Sequence, residues 1–161
     1  MTDPDPGCAW ILVTGSRLWR TPTHRTVLHA ALADAWIGAQ QAGHERLTVI
    51  HGAASGADSM AARWTLGQPG VLELPYEARW ADPCGVHCQP GHRRRRADGT
   101  SWCPAAGAFR NQRMVNEASR HLGSVVVIAA FAQPRSDGTA DCVRRALKAG
   151  LLVRKIGRWA A

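Results

Sequence analysis

The stretch from Leu47 to Trp64, LTVIHGAASGADSMAARW, constrains the fold more than any other part of the chain. Leu47, Val49 and Ile50 form a short, apolar, β-branched run of the kind a strand covered on both faces requires. It runs straight into Gly52 and Gly56, where the backbone can turn tightly and come close to a ligand. A helix then begins near Ala57, with Ser55 or Asp58 available to cap it. Strand, glycine turn and helix without a break make an α/β junction, and free N–H groups at such a helix start face an anion. The same residues also serve as a plain strand-to-helix turn, so this junction sets architecture before it sets chemistry.

A second junction precedes it. After a polar arm (Met1 to Gly7), Ala9 to Val13 reads as an apolar strand that ends in Thr14-Gly15-Ser16-Arg17. From Thr23 to Ala42 the residues Leu28, Ala31, Leu32, Ala35, Trp36 and Ala39 recur at helical spacing, and Gly43 stops the run. Further on, Val71 to Leu74 is a strand closed by Pro75, Ala108 to Leu122 a helix with Met114 and Ala118 on one face, and Ser124 to Phe131 the most hydrophobic strand. A turn at Gln133 to Gly138 leads to a helix from Thr139 to Ala149, and Leu151 to Ile156 is the last strand.

This order predicts one α/β domain over residues 1–161, a Rossmann-like doubly wound parallel sheet of about five strands interrupted by a Cys/His-rich insertion at 81–104. Ligands of such sheets sit beyond the carboxyl ends of the strands, where strand order reverses. One rim should therefore collect Gly15, Ser16 and Arg17 from the first turn and Gly52, Ala53, Ser55, Gly56, Ala57 and Asp58 from the second. Asp137, Gly138 and Thr139 join them from the turn after the fourth strand.

The net charge of +8 and a pI near 10.3 favour polyanions or phosphorylated small molecules as partners. Arg93 to Arg96 form one basic run, and Arg144, Arg145, Lys148, Arg154, Lys155 and Arg158 a second; both also read as solvated faces. No stretch approaches the ~18 apolar residues of a membrane span, and MTDPDPGC lacks the features of a signal peptide, so a cytoplasmic location without membrane contact is expected.

Five cysteines, an odd number, argue against a disulfide framework. Cys84, His87, Cys88, His92 and Cys103 cluster instead. Cys84-x3-Cys88-x3-His92-x10-Cys103 completes a tetrahedral Cys3His set whose soft ligands suit zinc, with His87 able to replace His92. Four protein ligands leave no open position, so such a metal is structural: it orders a loop with no core of its own and holds Arg93 to Arg96 near the pocket. A reduced, flexible basic loop is the competing reading.

Three patterns stand together: VTGSR at the first strand end, HGAASGAD at the second, and GAFRNQRM with SDGT in the second half. Together they resemble the SLOG superfamily of Rossmann-like nucleotide-binding domains, specifically its YspA-like branch, related to the LOG phosphoribohydrolases and the Smf/DprA DNA-processing proteins. The resemblance spans Trp10 to Ile156 apart from the insertion. It implies a pocket for a nucleotide or nucleotide-derived ligand of the nucleoside monophosphate or ADP-ribose type, a homo-oligomer, and a phage or mobile-element setting.

The LOG relatives carry Arg-Lys-x-x-Met on a helix, and Arg110 of Arg110-Asn111-Gln112-Arg113-Met114 falls on its arginine. Their phosphate loop Gly-Gly-x-Gly-Thr-x-x-Glu resembles Ser136 to Cys142; Gly138 and Thr139 match, but Cys142 stands where the glutamate should be. N-glycosidic cleavage needs a carboxylate near the ribose. Asp141 is one residue away, about 100° around the helix, and Asp58 is the other candidate beside its role as a cap. Arg110 and Arg17 offer guanidinium groups to phosphate, with Asn111 alongside. His51 is either an acid/base or a satisfied structural histidine. Trp19 is placed to stack on a base, Trp36 and Trp64 are core, and Trp80 and Tyr76 stay open.

Two functions follow: a nucleotide-derivative binding domain, acting as a sensor or as a phosphoribohydrolase-like N-glycosidic hydrolase, and a single-stranded nucleic-acid-binding protein of Smf/DprA type that uses its two basic stretches.

Overall fold

The computed structural model describes residues 4–132 and 136–157, so Gln133 to Arg135 of the expected turn, the start of the N-terminal arm and the basic residue Arg158 lie outside the described residues. The elements in chain order are β1 (Cys8–Gly15), α1 (Pro22–Gln41), β2 (Arg46–His51), α2 (Ala57–Leu66), β3 (Val71–Pro75), β4 (Arg94–Arg95), β5 (Ser101–Trp102), α3 (Ala106–Ala118), β6 (Val125–Phe131), α4 (Asp137–Lys148) and β7 (Val153–Gly157). A single 3-10 turn, Ser119–His121, follows α3.

Five strands form one parallel sheet in the order β3-β2-β1-β6-β7. Alternate residues of β1 feed opposite layers, as the pleat requires. Ile11 and Val13 pack with Leu28, Leu32 and Trp64 of α1 and α2, while Leu12 packs with Met114, Val115 and Ala146 of α3 and α4. The chain builds outward from β1 to β3, then crosses back to place β6 on the other side of β1. That reversal opens a crevice above the ends of β1 and β6, where Gly15 pairs with Ala130.

The boundaries move where local chemistry overrides pattern. Helix α1 starts one residue early because Thr21 accepts the His24 N–H while the His24 ring accepts the Thr21 N–H, a reciprocal cap with histidine in the usual glutamate place. Helix α4 begins at Asp137 rather than Thr139, so Asp137 and Gly138 belong to its first turn and not to a loop. Helix α2 has Gly56 as N-cap at φ 84° and no side-chain cap, so neither Ser55 nor Asp58 plays the capping part. No helix among the described residues is long and apolar enough to cross a membrane.

The insertion between β3 and α3 is a finger with a two-strand antiparallel hairpin, Arg94 pairing with Trp102 and Arg95 with Ser101. Its turn is closed by Asp98, whose carboxylate accepts from the Thr100 N–H at 2.9 Å.

Candidate functional site

The crevice at the reversal encloses about 540 Å³. Gly15, Ser16 and Arg17 line it from β1, Arg110 and Asn111 from α3, and Asp137, Gly138, Thr139 and Asp141 from α4, with Asp58 at its base. Four stretches that lie far apart in sequence thus converge on one hollow. Of the second turn only Ala54 and Asp58 line the crevice; Gly52, Ala53, Ser55, Gly56 and Ala57 do not, and Ala53 and Ser55 are exposed outside it.

The second turn is a socket for an acid and not an open anion cradle. Three successive N–H groups are already used: Gly52 and Ala54 donate to Asp58 Oδ2 at 3.0 and 3.3 Å, and Ala53 donates to His51 Nδ1 at 3.0 Å. Gly56 packs so tightly on Ser16 and Arg17 that a Cβ there would strike Arg17 Cα at 2.6 Å. At Gly52 a Cβ would meet the guanidinium carbon of Arg110 at 2.6 Å and Asp58 Oδ2 at 2.9 Å. The missing side chain is the space that Arg110 fills, donating to the Gly52 carbonyl.

Asp58 is 4% exposed, and its Oδ1 has no hydrogen-bond partner. Burial pushes its carboxyl above the ordinary value of 3.8, with the two N–H groups and Arg110 acting in the opposite direction. Asp141 has the opposite environment. Burial again acts upward, but bonds from Arg145 and Asn111 outweigh it and hold this carboxylate below its usual range. Arg144 and Arg145 reach its two oxygens at 2.7 and 2.9 Å.

Asn111 joins these groups. Its carbonyl accepts Arg110 Nε at 3.0 Å, and its amide donates to the Gly138 carbonyl at 3.2 Å and to Asp141 Oδ2 at 3.0 Å. Cys142, at the glutamate position of the resemblance, turns away into the core under α4, where burial pushes its thiol up to about 11. It supplies no acid and no nucleophile to the crevice.

Other residues resolve in the same way. His51 uses both ring nitrogens, Nε2 with Glu73 at 2.7 Å and Nδ1 as acceptor from Ala53, so it is a satisfied structural histidine. Trp19 cannot stack on a base, because it is 1% exposed, donates to the Phe131 carbonyl at 2.8 Å and stacks on His24. Tyr76 lies away from the crevice beneath Arg113. Trp80 does line it, over Gly107, and Trp102, which the sequence reading passed over, stands edge-on to Trp80 at 5.8 Å. The signal for Trp102 was its place beside Cys103, in a hairpin announced by Asp98-Gly99.

The thiols of Cys84, Cys88 and Cys103 and a ring nitrogen of His92 all lie within 4.8 Å of one another, a group able to hold a metal ion. His92 Nε2 stands 3.0 Å from Cys84 Sγ and 3.5 Å from Cys103 Sγ, and the Cys88 and Cys103 sulfurs are 3.8 Å apart without a disulfide. Of the two candidate histidines, His92 and not His87 enters the group. Arg93 lies across the finger, donating to Ser101 Oγ at 3.0 Å and the Asp82 carbonyl at 2.7 Å. Its bond to the Cys84 sulfur is the main cause that lowers this thiol to about 7. Cys103 also donates its N–H to the Trp80 carbonyl at 2.9 Å, tying the cluster to the crevice wall.

The gene 61 protein of Mycobacterium phage D29 is similar to this chain, 35% identical over 149 residues that span 91% of the chain and 95% of the phage protein. No protein-family profile matches the chain.

Proposed function

The chain belongs to the family of the gene 61 protein of Mycobacterium phage D29, and from its site we propose that it binds a nucleotide or nucleotide-derived ligand of the nucleoside monophosphate or ADP-ribose type. The observation that carries this is Arg110, seated in the crevice by the absent side chain of Gly52 and oriented by Asn111. The exposed Arg17 lines the same hollow. Two guanidinium groups lining one hollow suit a phosphate, and the first turn of α4 adds the N–H groups of Gly138 and Thr139. The likeness to the SLOG superfamily supports the same ligand class, since residues of VTGSR, GAFRNQRM and SDGT line the crevice together, joined by Asp58 of the HGAASGAD turn.

Titration of the metal-loaded chain with AMP and ADP-ribose tests this: either should raise the melting temperature, and Arg110→Ala should remove the shift. No shift with any phosphorylated nucleoside refutes it.

Binding, in a sensing role, is favoured over N-glycosidic hydrolysis because Cys142 replaces the glutamate and Asp141 is neutralised by two arginines. The hydrolase reading keeps one support, the unpartnered Oδ1 of Asp58. Free base released from AMP by the chain and not by Asp58→Asn would establish it.

We assign the Cys/His group to structural zinc. Zn–S bonds of about 2.3 Å and Zn–N bonds of about 2.0 Å give tetrahedral edges of about 3.8 Å between sulfurs and about 3.5 Å between sulfur and nitrogen. The Cys88 to Cys103 and Cys103 to His92 separations, 3.8 and 3.5 Å, fit both, while Cys84 to His92, at 3.0 Å, would open by about half an ångström around the metal. Zinc there would order the finger and leave chemistry to the crevice. One equivalent of zinc by elemental analysis is expected, and none in a Cys84→Ser, Cys88→Ser double variant.

A further inference from the structure

A second hollow, about 280 Å³, is lined by Arg17, Trp80, Arg96 and Trp102. Arg17 and Trp80 also line the crevice, so the two spaces meet across them. We propose that the second hollow is a subsite for the far nucleoside of a phosphate-bridged dinucleotide whose near nucleotide occupies the crevice. This rests on the nucleotide-binding reading above and extends it to a larger ligand class.

The chemistry of the walls carries the inference. The rings of Trp80 and Trp102 meet at 74°, forming an apolar corner that offers a planar base one face and one edge. The guanidinium carbons of Arg94 and Arg96 lie 5.6 and 5.8 Å from the Trp102 centroid. Neighbouring arginines of one run have separate tasks: Arg93 is turned inward onto carbonyls and the Cys84 sulfur, while Arg94 and Arg96 are exposed. Arg17, Arg94 and Arg96 have no carboxylate within ion-pair distance among the described residues. A half-buried indole corner rimmed by unpaired guanidinium groups suits a base with a phosphate beside it. Arg17 sits where the spaces join, the place of the bridging phosphate. The hollow has room for one nucleoside and not for a run of them, which favours a dinucleotide over a strand. The corner is fixed by the metal group, because Trp102 precedes Cys103 and the Cys103 N–H is bonded to Trp80.

Isothermal titration of the zinc-loaded chain with AMP, diadenosine pyrophosphate and 5′-phosphorylated ApA tests the proposal, in parallel with Trp102→Leu and Trp102→Phe variants checked for zinc content and melting temperature. One dinucleotide should bind about tenfold or more tightly than AMP, a gain of the size expected from one base–aromatic stack. Trp102→Leu should erase that advantage with AMP affinity unchanged, and Trp102→Phe should keep most of it. Which dinucleotide carries the advantage tells pyrophosphate from phosphodiester. Should Trp102→Leu lose zinc, Arg96→Ala replaces it and should reduce the dinucleotide advantage. Equal affinity for AMP and both dinucleotides, or an advantage that no variant alters, overturns the subsite and leaves nucleotide binding standing. No binding of any compound overturns both. Affinity that keeps rising in oligoadenylates beyond two nucleotides also overturns it and assigns the surface to single strands.

Discussion

Asn111→Ala tests how far the crevice depends on one side chain. Asn111 is 3% exposed and makes three hydrogen bonds, two of them to charged partners, Arg110 and Asp141. Bonds to charged groups contribute about 1.5–3 kcal/mol each and a neutral one about 1 kcal/mol. The crevice admits water to the stranded partners, which returns part of that sum, so a net loss of about 3 kcal/mol is expected. For a domain of this size that lowers the melting temperature by about 6–12 °C. Urea denaturation gives the free energy, and Asn111→Leu, which keeps the branched shape but no hydrogen bond, should lose a similar amount or more. Arg110 would also lose the acceptor that orients its Nε, so the thermal shift produced by AMP should fall with stability. A loss below about 1 kcal/mol together with an intact AMP shift would refute the idea that Asn111 couples α3 to α4 through this network.

Three further outcomes are expected. Chelation should make the chain cleavable by trypsin at Arg93 to Arg96 while the circular dichroism of the sheet persists, because no residue from Cys84 to Trp102 belongs to either core cluster; simultaneous loss of both signals contradicts a finger-limited role for the metal. Gly52→Ala should displace Arg110 and weaken nucleotide binding more than tenfold at a stability cost of about 1–2 kcal/mol, the cost of modest overpacking; unchanged affinity shows that the seat of Arg110 does not matter. Asp58→Asn should change the pH dependence of stability. The Asp58 carboxyl is raised in the folded state, so its contribution is complete below the ordinary carboxylate value of 3.8 and is lost as pH rises through the folded value. Stability of the Asn variant relative to the native chain should therefore climb from acid toward neutral pH, and a flat difference means that Asp58 is not held against its charge.

The five sheet strands and four helices were legible because buried β-branched runs and helical apolar spacing are local properties. The Cys/His cluster was legible for a similar reason: in a segment without periodicity, cysteines and a histidine at ligand spacing stand out on their own. Asp58 was misread because a carboxylate in the first turn of a helix looks the same in sequence whether it caps its own helix or serves a preceding turn. The choice depends on Gly56 taking a positive φ and on the cation of Arg110, which belongs to a helix on the opposite layer. Trp19 was misread because its indole partner, the Phe131 carbonyl, is 112 residues away. Cys142 turns into the core because it lies on the stripe Thr139, Cys142, Val143 and Ala146 that α4 buries, so matching it to the glutamate of the resemblance by loop position alone misplaces it.

The two carboxylates and the spent N–H groups of the second turn together change where an anion can sit. Gly52, Ala53 and Ala54 donate inward to Asp58 and His51, so a phosphate placed there would have to displace bonds already made and approach a buried carboxyl. On the proposed reading an anion would instead meet Arg17 on the β1 turn, Arg110 and the first turn of α4 at Gly138 and Thr139, all of which line the crevice. These groups come from three elements, two of which are held in register by Asn111, whose amide reaches the Gly138 carbonyl while its oxygen holds Arg110. On that reading, anion recognition in this crevice depends on how α3, α4 and the β1 turn are docked, and not on one glycine loop. A change that shifts α3 against α4 should weaken phosphate binding even where it touches no ligand, whereas a single P-loop would tolerate such a shift.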